Sequence, residues 1–165
     1  MMENNGIKLR NAVKADARQI AAVLRECYNI SSLEEGAEVF LSEMKKGISY
    51  IVAEENGKVI GLITWYIHGL PKHGLTELDR IAVSVEYRGK GISRLLFNAL
   101  IEEVGKFYAS KGCRFRKLYL LTHESNKRAH SFYEKIGLRH ETTLRDHYYD
   151  GEDERVYSLF IDKKK

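Results

Sequence analysis

The segment Tyr87-Arg88-Gly89-Lys90-Gly91-Ile92-Ser93 places two glycines and two basic residues directly ahead of a pattern that predicts a long helix. Small residues at such a junction let backbone N–H groups close around an anion. The helix N-terminus adds unpaired donors and partial positive charge, so the chemistry indicated is phosphate binding, with Arg88, Lys90 and Arg94 reinforcing the charge. A purely structural glycine turn accounts for the same residues without a ligand. Two rival phosphate motifs fail: there is no G-x-x-x-x-G-K-[ST] loop and no G-x-G-x-x-G after the first strand. Upstream, Glu77 and Asp79 alternate onto one face of an extended run. Two carboxylates so placed raise one another's pKa toward a range useful for proton transfer. Alternatively they line a cleft and attract a cationic amine. His123, near the end of another extended run, has the free pKa of a base, although a lone histidine also serves structure alone.

The elements that must position these groups are legible from periodicity. Ile7 and Leu9, then Val13, followed by Asp16 ahead of Ile20, Val23 and Leu24, predict a strand, a cap and a helix. A second helix is predicted from Leu33 to Lys46. Two antiparallel strands, Tyr50-Ile51-Val52-Ala53 and Val59 to Tyr66, flank Asn56-Gly57, a strong hairpin signal. Leu75 to Val83 is extended, and Ser93 to Lys111 carries Leu95, Leu96, Ala99, Leu100, Val104 and Phe107 at helical spacing. Leu118 to Thr122 reads as a strand, and Asn126 to Lys135 as a helix stopped by Gly137. Thr142 to Tyr148 and Arg155 to Ile161 close with a hairpin around Asp150-Gly151. This order predicts a mixed α/β (α+β) sheet of about six or seven strands, mostly antiparallel, with about four helices. Residues 1–165 are expected to form a single domain.

Composition sets the remaining bounds. The 165 residues are 44% hydrophobic and 30% charged with one proline, as in a globular protein and unlike a disordered one. Cys27 and Cys113 form no C-x-x-C pair, so neither a disulfide framework nor a thiolate zinc site is suggested and no metal is expected. The start lacks the apolar core of a signal peptide, and Val59 to Ile67 is too short to cross a bilayer, so a cytoplasmic protein without membrane partners is expected. The net charge of +4 and pI near 9.0 are mild, and basic residues are interleaved with acidic ones except at Lys163-Lys164-Lys165. A nucleic-acid partner is therefore not expected. A homodimer is compatible with the sequence and not required by it.

Three motifs in order carry a resemblance to the GNAT superfamily of N-acetyltransferases. Arg88-x-x-Gly91-x-Ser93 resembles the family's Q/R-x-x-G-x-G/A loop, Asp79-Arg80-Ile81-Ala82-Val83 its fourth strand, and Ser125-Asn126-x-x-Ala129-x-x-Phe132-Tyr133-Glu134-Lys135-x-Gly137-Leu138 its fifth-strand exit and following helix. Departures occur at Ser93, where the family prefers Gly or Ala, and at Val85, where proline is frequent. The resemblance implies that acetyl-CoA is the co-substrate and that the sheet splays between the family's fourth and fifth strands. The pantetheine arm would pair there with the backbone of Ile81, Ala82 and Val83, while the N–H groups of Arg88, Gly89, Lys90, Gly91, Ile92 and Ser93 meet the pyrophosphate. Asn126 would bind the arm, although Ser125 and Asn126 are equally good helix caps. Tyr133 matches the tyrosine that protonates the leaving thiolate in many members, with simple core packing as its alternative. Glu77 lies eleven positions before Arg88, the separation at which the histone-acetylating branch carries its glutamate. Glu77 or Asp79 would then accept the amine proton, through water. The strand-five acid of some ribosomal-protein acetylases has no counterpart near Leu121.

The closing Tyr148-Tyr149-Asp150-Gly151-Glu152-Asp153 is similar to the Tyr-Tyr-x-x-Gly-Glu-Asp signature of the RimI-like branch, which acetylates protein N-termini. By that resemblance Tyr148 and Tyr149 wall a slot for a peptide N-terminus; packing of both on the sheet is the plainer reading. Polyamines, amino acids or other small amines are the alternative acceptors, drawn by Glu34, Glu35, Glu38, Glu152, Asp153 and Glu154. A non-catalytic acyl-CoA sensor is a reading of another class, against which Tyr133 and an acidic strand-four residue both speak.

Overall fold

The computed structural model describes residues 3–4 and 6–161; the Lys163-Lys164-Lys165 tail lies outside the described residues. The strands are β1 (Glu3–Asn4), β2 (Ile7–Asn11), β3 (Ser49–Glu55), β4 (Lys58–Ile67), β5 (Leu75–Val83), β6 (Lys117–His123), β7 (Arg139–Tyr149) and β8 (Glu152–Phe160). The helices are α1 (Ala17–Cys27), α2 (Leu33–Lys45), α3 (Ile92–Ser110) and α4 (Lys127–Lys135). Chain order is as predicted, with the two-residue β1 in addition, and the sheet order is β1-β2-β3-β4-β5-β6-β8-β7. Parallel pairing of β5 with β6 runs over Leu75–Glu77 against Lys117–Tyr119. Both strands continue past it, β5 to Val83 and β6 to His123.

Contacts divide the chain into two compact units. The first holds Met1–Tyr66 and Arg80–Glu103. Asn56 and Gly57 both take positive φ, 50° and 78°, as the two-residue turn between β3 and β4 demands. Val59 to Trp65 is buried without a break, which explains why this strand reads as a continuous apolar run. The core joins Ile20, Val23 and Leu24 of α1 and Phe40 of α2 to Tyr50, Val52 and Leu62.

Asp16 is not the side-chain cap of α1 that was expected. Its carboxylate accepts from the Val13 N–H at 2.8 Å and from the Arg10 guanidinium at 2.7 and 2.8 Å, closing a short 3-10 turn ahead of the helix. Arg10 comes from β2 and also binds Glu54 at 2.7 Å. The Arg10 guanidinium, followed by the Val13 N–H, holds the Asp16 carboxyl below its ordinary range. This stabilisation is present above about pH 4, the ordinary carboxyl value, and is lost as pH falls through the lowered folded-state value. Asp16→Asn is expected to cost about 3 kcal/mol at pH 7 by loss of a largely buried pair. Thermal unfolding followed by circular dichroism should show the difference from wild type shrinking in acid.

The second unit holds Ile67–Asp79 and Val104–Lys165. Tyr108 stacks on Phe115 with ring centroids 5.6 Å apart and donates its hydroxyl to the Leu75 carbonyl at 2.9 Å, tying α3 to the start of β5. Helix α4 ends as predicted at Gly137 (φ 97°): the Leu138 N–H reaches the Tyr133 carbonyl at 3.0 Å and the Gly137 N–H reaches that of Glu134 at 3.1 Å. The last hairpin departs from a regular ladder. Its register shifts between Leu144 and Tyr149, where Asp146 takes a φ of 44° and its carboxylate caps the Gly151 N–H at 2.7 Å.

Candidate active site

In the first unit, the loop between β5 and α3 is held open by its glycines. Gly89 and Gly91 have φ of 78° and 81°, and a Cβ built at either meets nothing within 4 Å, so conformation rather than crowding demands glycine here. The Gly91 carbonyl accepts from the Arg94 and Leu95 N–H groups at 3.1 and 3.2 Å, opening the 19-residue α3. The first-turn donors of Ile92 and Ser93 have no acceptor within a helix. Arg88 is pinned rather than free to swing: its Nε donates to the Val83 carbonyl at 3.0 Å and a terminal nitrogen lies 3.3 Å from Cys27 Sγ. Lys90 rests 4.8 Å from the centre of the Tyr87 ring. This loop suits a pyrophosphate.

The three β5 residues expected to meet the pantetheine arm are not equivalent. The Ala82 carbonyl faces Gly61 of β4, where a Cβ would come within 3.0 Å of it. Backbone groups of Ile81 and Val83 alternate to the other edge. There Tyr28 Oη donates to the Ile81 carbonyl at 3.3 Å, and Cys27 Sγ lies 3.6 Å from that of Val83. Arg80, one residue before, binds Glu43 of α2 with both Oε atoms at 2.7 Å.

In the second unit, Glu77 is 7% exposed and sits where the parallel pairing places it opposite Tyr119. Tyr119 Oη donates to Glu77 Oε2 at 2.6 Å, His68 Nε2 lies 2.7 Å from the same oxygen, and Tyr119 Oη and His68 Nε2 are 2.8 Å apart. The carboxylate is thus built into a three-membered cluster, not left to line a solvent-facing edge. Asp79, two residues along β5, is half-buried. Neither His68 nor Tyr119 was singled out in the sequence. They come from the ends and middles of different strands, and no short motif spans them.

Tyr133 lies on α4, 7% exposed, with its ring 5.9 Å from that of Tyr157. Burial pushes the phenol well above its usual range, so it carries its proton throughout the neutral pH range. Asn126 is the N-cap of α4, its Oδ1 accepting from the Ala129 N–H at 3.1 Å. His123 ends β6 with Nδ1 against the carboxylate of Glu154, directly opposite in the β6–β8 register, and its ring is 5.7 Å from that of Tyr149. Glu154 is 2% exposed, so it is withdrawn from the solvent-facing acidic set expected from the sequence. Tyr148 and Tyr149 are 62% and 60% exposed and are not packed into the sheet. Among the described residues no group of three or more His, Cys, Asp or Glu side chains could hold a metal ion, and no helix is long and apolar enough to cross a membrane.

In the first unit a glycine loop opens α3, and in the second a buried tyrosine lies on α4. The chain belongs to the acetyltransferase (GNAT) family, whose model matches residues 17–138, and is an N-acetyltransferase. It is 30% identical over 158 residues to an N-alpha-acetyltransferase of Saccharolobus solfataricus, covering 88% of this chain and 87% of that protein. A second N-alpha-acetyltransferase, from Sulfurisphaera tokodaii, is 29% identical over 160 residues, with 88% of each covered. The fold is shared with the ribosomal-protein-S18-alanine N-acetyltransferase of Escherichia coli, at a TM-score of 0.76 and 21% identity over 96% of each chain.

Proposed function

We propose that the protein moves the acetyl group of acetyl-CoA to the α-amino group of a protein or peptide N-terminus by direct attack on the thioester. The acceptor class is supported by the two archaeal relatives that bear the name N-alpha-acetyltransferase over nearly the whole chain. The exposed Tyr148 and Tyr149 are available as walls for the first residues of such a peptide. The family match, over residues 17–138, runs through both compact units, and on that ground we read residues 1–165 as one catalytic domain.

In this reading the loop from Arg88 to Ser93 takes the pyrophosphate on its backbone N–H groups and on the start of α3. Ile81 and Val83 offer the strand edge to the pantetheine arm, and Asn126 adds its amide at the start of α4. Glu77, with Asp79 beside it, accepts a proton from the amine through water. The neutral nitrogen attacks the thioester carbon, forming the C–N bond, and the C–S bond breaks. Tyr133 gives its proton to the departing thiolate, and the proton shed by the nitrogen returns through solvent to the phenol. An α-amino group of pKa about 8 is already partly neutral at pH 7, so it asks little of the base.

The test follows free thiol release from acetyl-CoA with three acceptor sets: peptides with free N-termini, the same peptides N-blocked but containing lysine, and polyamines with amino acids. Turnover on free N-termini is the expected result; turnover only on small amines overturns the peptide acceptor. Gly91→Val provides a separate check on the loop. A β-branched residue at a φ of 81° is strained by about 1–2 kcal/mol. The KM for acetyl-CoA should rise about tenfold, with the KM for the amine unchanged.

A further inference from the structure

The cluster around Glu77 joins three side chains from three strands: His68 beyond the end of β4, Glu77 on β5 and Tyr119 on β6. Tyr119 and His68 both act on the same carboxylate oxygen, Oε2, at 2.6 and 2.7 Å. A carboxylate gripped twice at one oxygen cannot rotate about its own axis without breaking a bond. These two contacts satisfy the carboxylate oxygen and so offset the cost of burying Glu77 to 7% exposure. Glu77 is faced by the His68 imidazole, one residue past β4, and by the Tyr119 phenol from β6, and Asp79 lies two residues along its own strand. The exposure is graded: the Glu77 side chain is 10% exposed and that of His68 38%, so the imidazole is the wet end of the cluster.

We propose that Tyr119 and His68 are positioning residues for the general base, holding the Glu77 carboxylate in one orientation. This rests on the assignment of Glu77 as the base. The amine proton goes to Glu77; neither Tyr119 nor His68 touches the substrate or the thioester in this scheme, and no proton is lost from the phenol. Loss of a contact should therefore lower kcat rather than weaken the binding of either substrate.

The experiment combines Tyr119→Phe, His68→Gln and His68→Leu with Glu77→Gln, using the full chain, acetyl-CoA and the best acceptor peptide. Tyr119→Phe should lower kcat about tenfold, the loss of one hydrogen bond to a charged group, with both KM values unchanged. His68→Gln, which keeps a donor, should retain most of the activity that His68→Leu loses. In the Glu77→Gln background, Tyr119→Phe should have no further effect. Equal losses in both backgrounds would overturn the positioning role while leaving Glu77 as base. A fully active Glu77→Gln enzyme would remove the base assignment and the proposal with it. Matching thermal midpoints separate either result from misfolding.

Discussion

Replacement of Tyr133 by phenylalanine is expected to lower kcat about 100-fold at pH 7 while leaving the KM for acetyl-CoA nearly unchanged. Loss of a positioned acid removes on the order of 10² to 10⁴ in rate, and about 100-fold corresponds to about 2.7 kcal/mol of the barrier. Burial holds the phenol well above its ordinary range, so it is protonated throughout the range tested, and the same shift makes it a weaker acid. The expected pH dependence follows from the leaving group. A thiol has a pKa of about 8.5, so as the pH rises past that value the thiolate departs with less need of protonation. The ratio of wild-type to Tyr133→Phe rates should therefore narrow toward pH 9. The ring itself stays, packed 5.9 Å from that of Tyr157, so the thermal midpoint should shift by only a few degrees. Thiol release across pH 6 to 9.5 by both proteins reads the effect. A ratio that is flat across this range, or close to one, would place Tyr133 in the core and not in the chemistry.

Glu77→Gln is expected to have an effect of similar size with a different pH signature. Without the base, only the fraction of amine already neutral in solution reacts. For an α-amino group that fraction is about one tenth at pH 7 and most of the population above pH 9. With a peptide N-terminus as acceptor, the deficit should be about 100-fold at pH 7 and shrink to about tenfold by pH 9, because the neutral fraction itself rises only about tenfold. An aliphatic amine of pKa about 10.4, such as a lysine side chain, would keep its deficit to a higher pH. The same pair of profiles thus tests the base and reports the acceptor. Gln keeps an oxygen for Tyr119 and loses the charge, so the cluster at β5 and β6 should stay assembled. Unchanged activity at pH 7 would return Glu77 to a structural part, with Asp79 next to be replaced.

The order of elements was legible from residue spacing because its signals are local. The Asn56-Gly57 turn, the apolar stripe of α3 and the stop at Gly137 each depend on residues within a turn or two of one another. The glycine loop ahead of α3 was legible for the same reason: Gly89, Gly91 and the start of α3 are contiguous, and the positive φ angles of the two glycines need nothing from elsewhere in the chain. Even the capping role of Asn126 was readable, since its partner is three residues away. Asp16 looked like the same kind of cap, but its carboxylate is claimed by Arg10 from β2, which itself reaches Glu54 on β3.

What the amino-acid order determined by itself was therefore the element sequence, the family motifs and the anion loop, together with the identity of Glu77 and Tyr133 as candidates. Tertiary structure decided the environments. Tyr119 reaches Glu77 across 42 residues of chain through three pairs of parallel β5–β6 register, and His68 joins them from the end of β4. Glu154 looked like part of a charged surface, yet the β6–β8 register set it opposite His123 and buried it. Tyr133 on its helix had no perturbed phenol until packing removed the water around it. Strand pairing brings together side chains far apart in sequence, and desolvation depends on everything that packs around a group. Neither is encoded in any short window of residues.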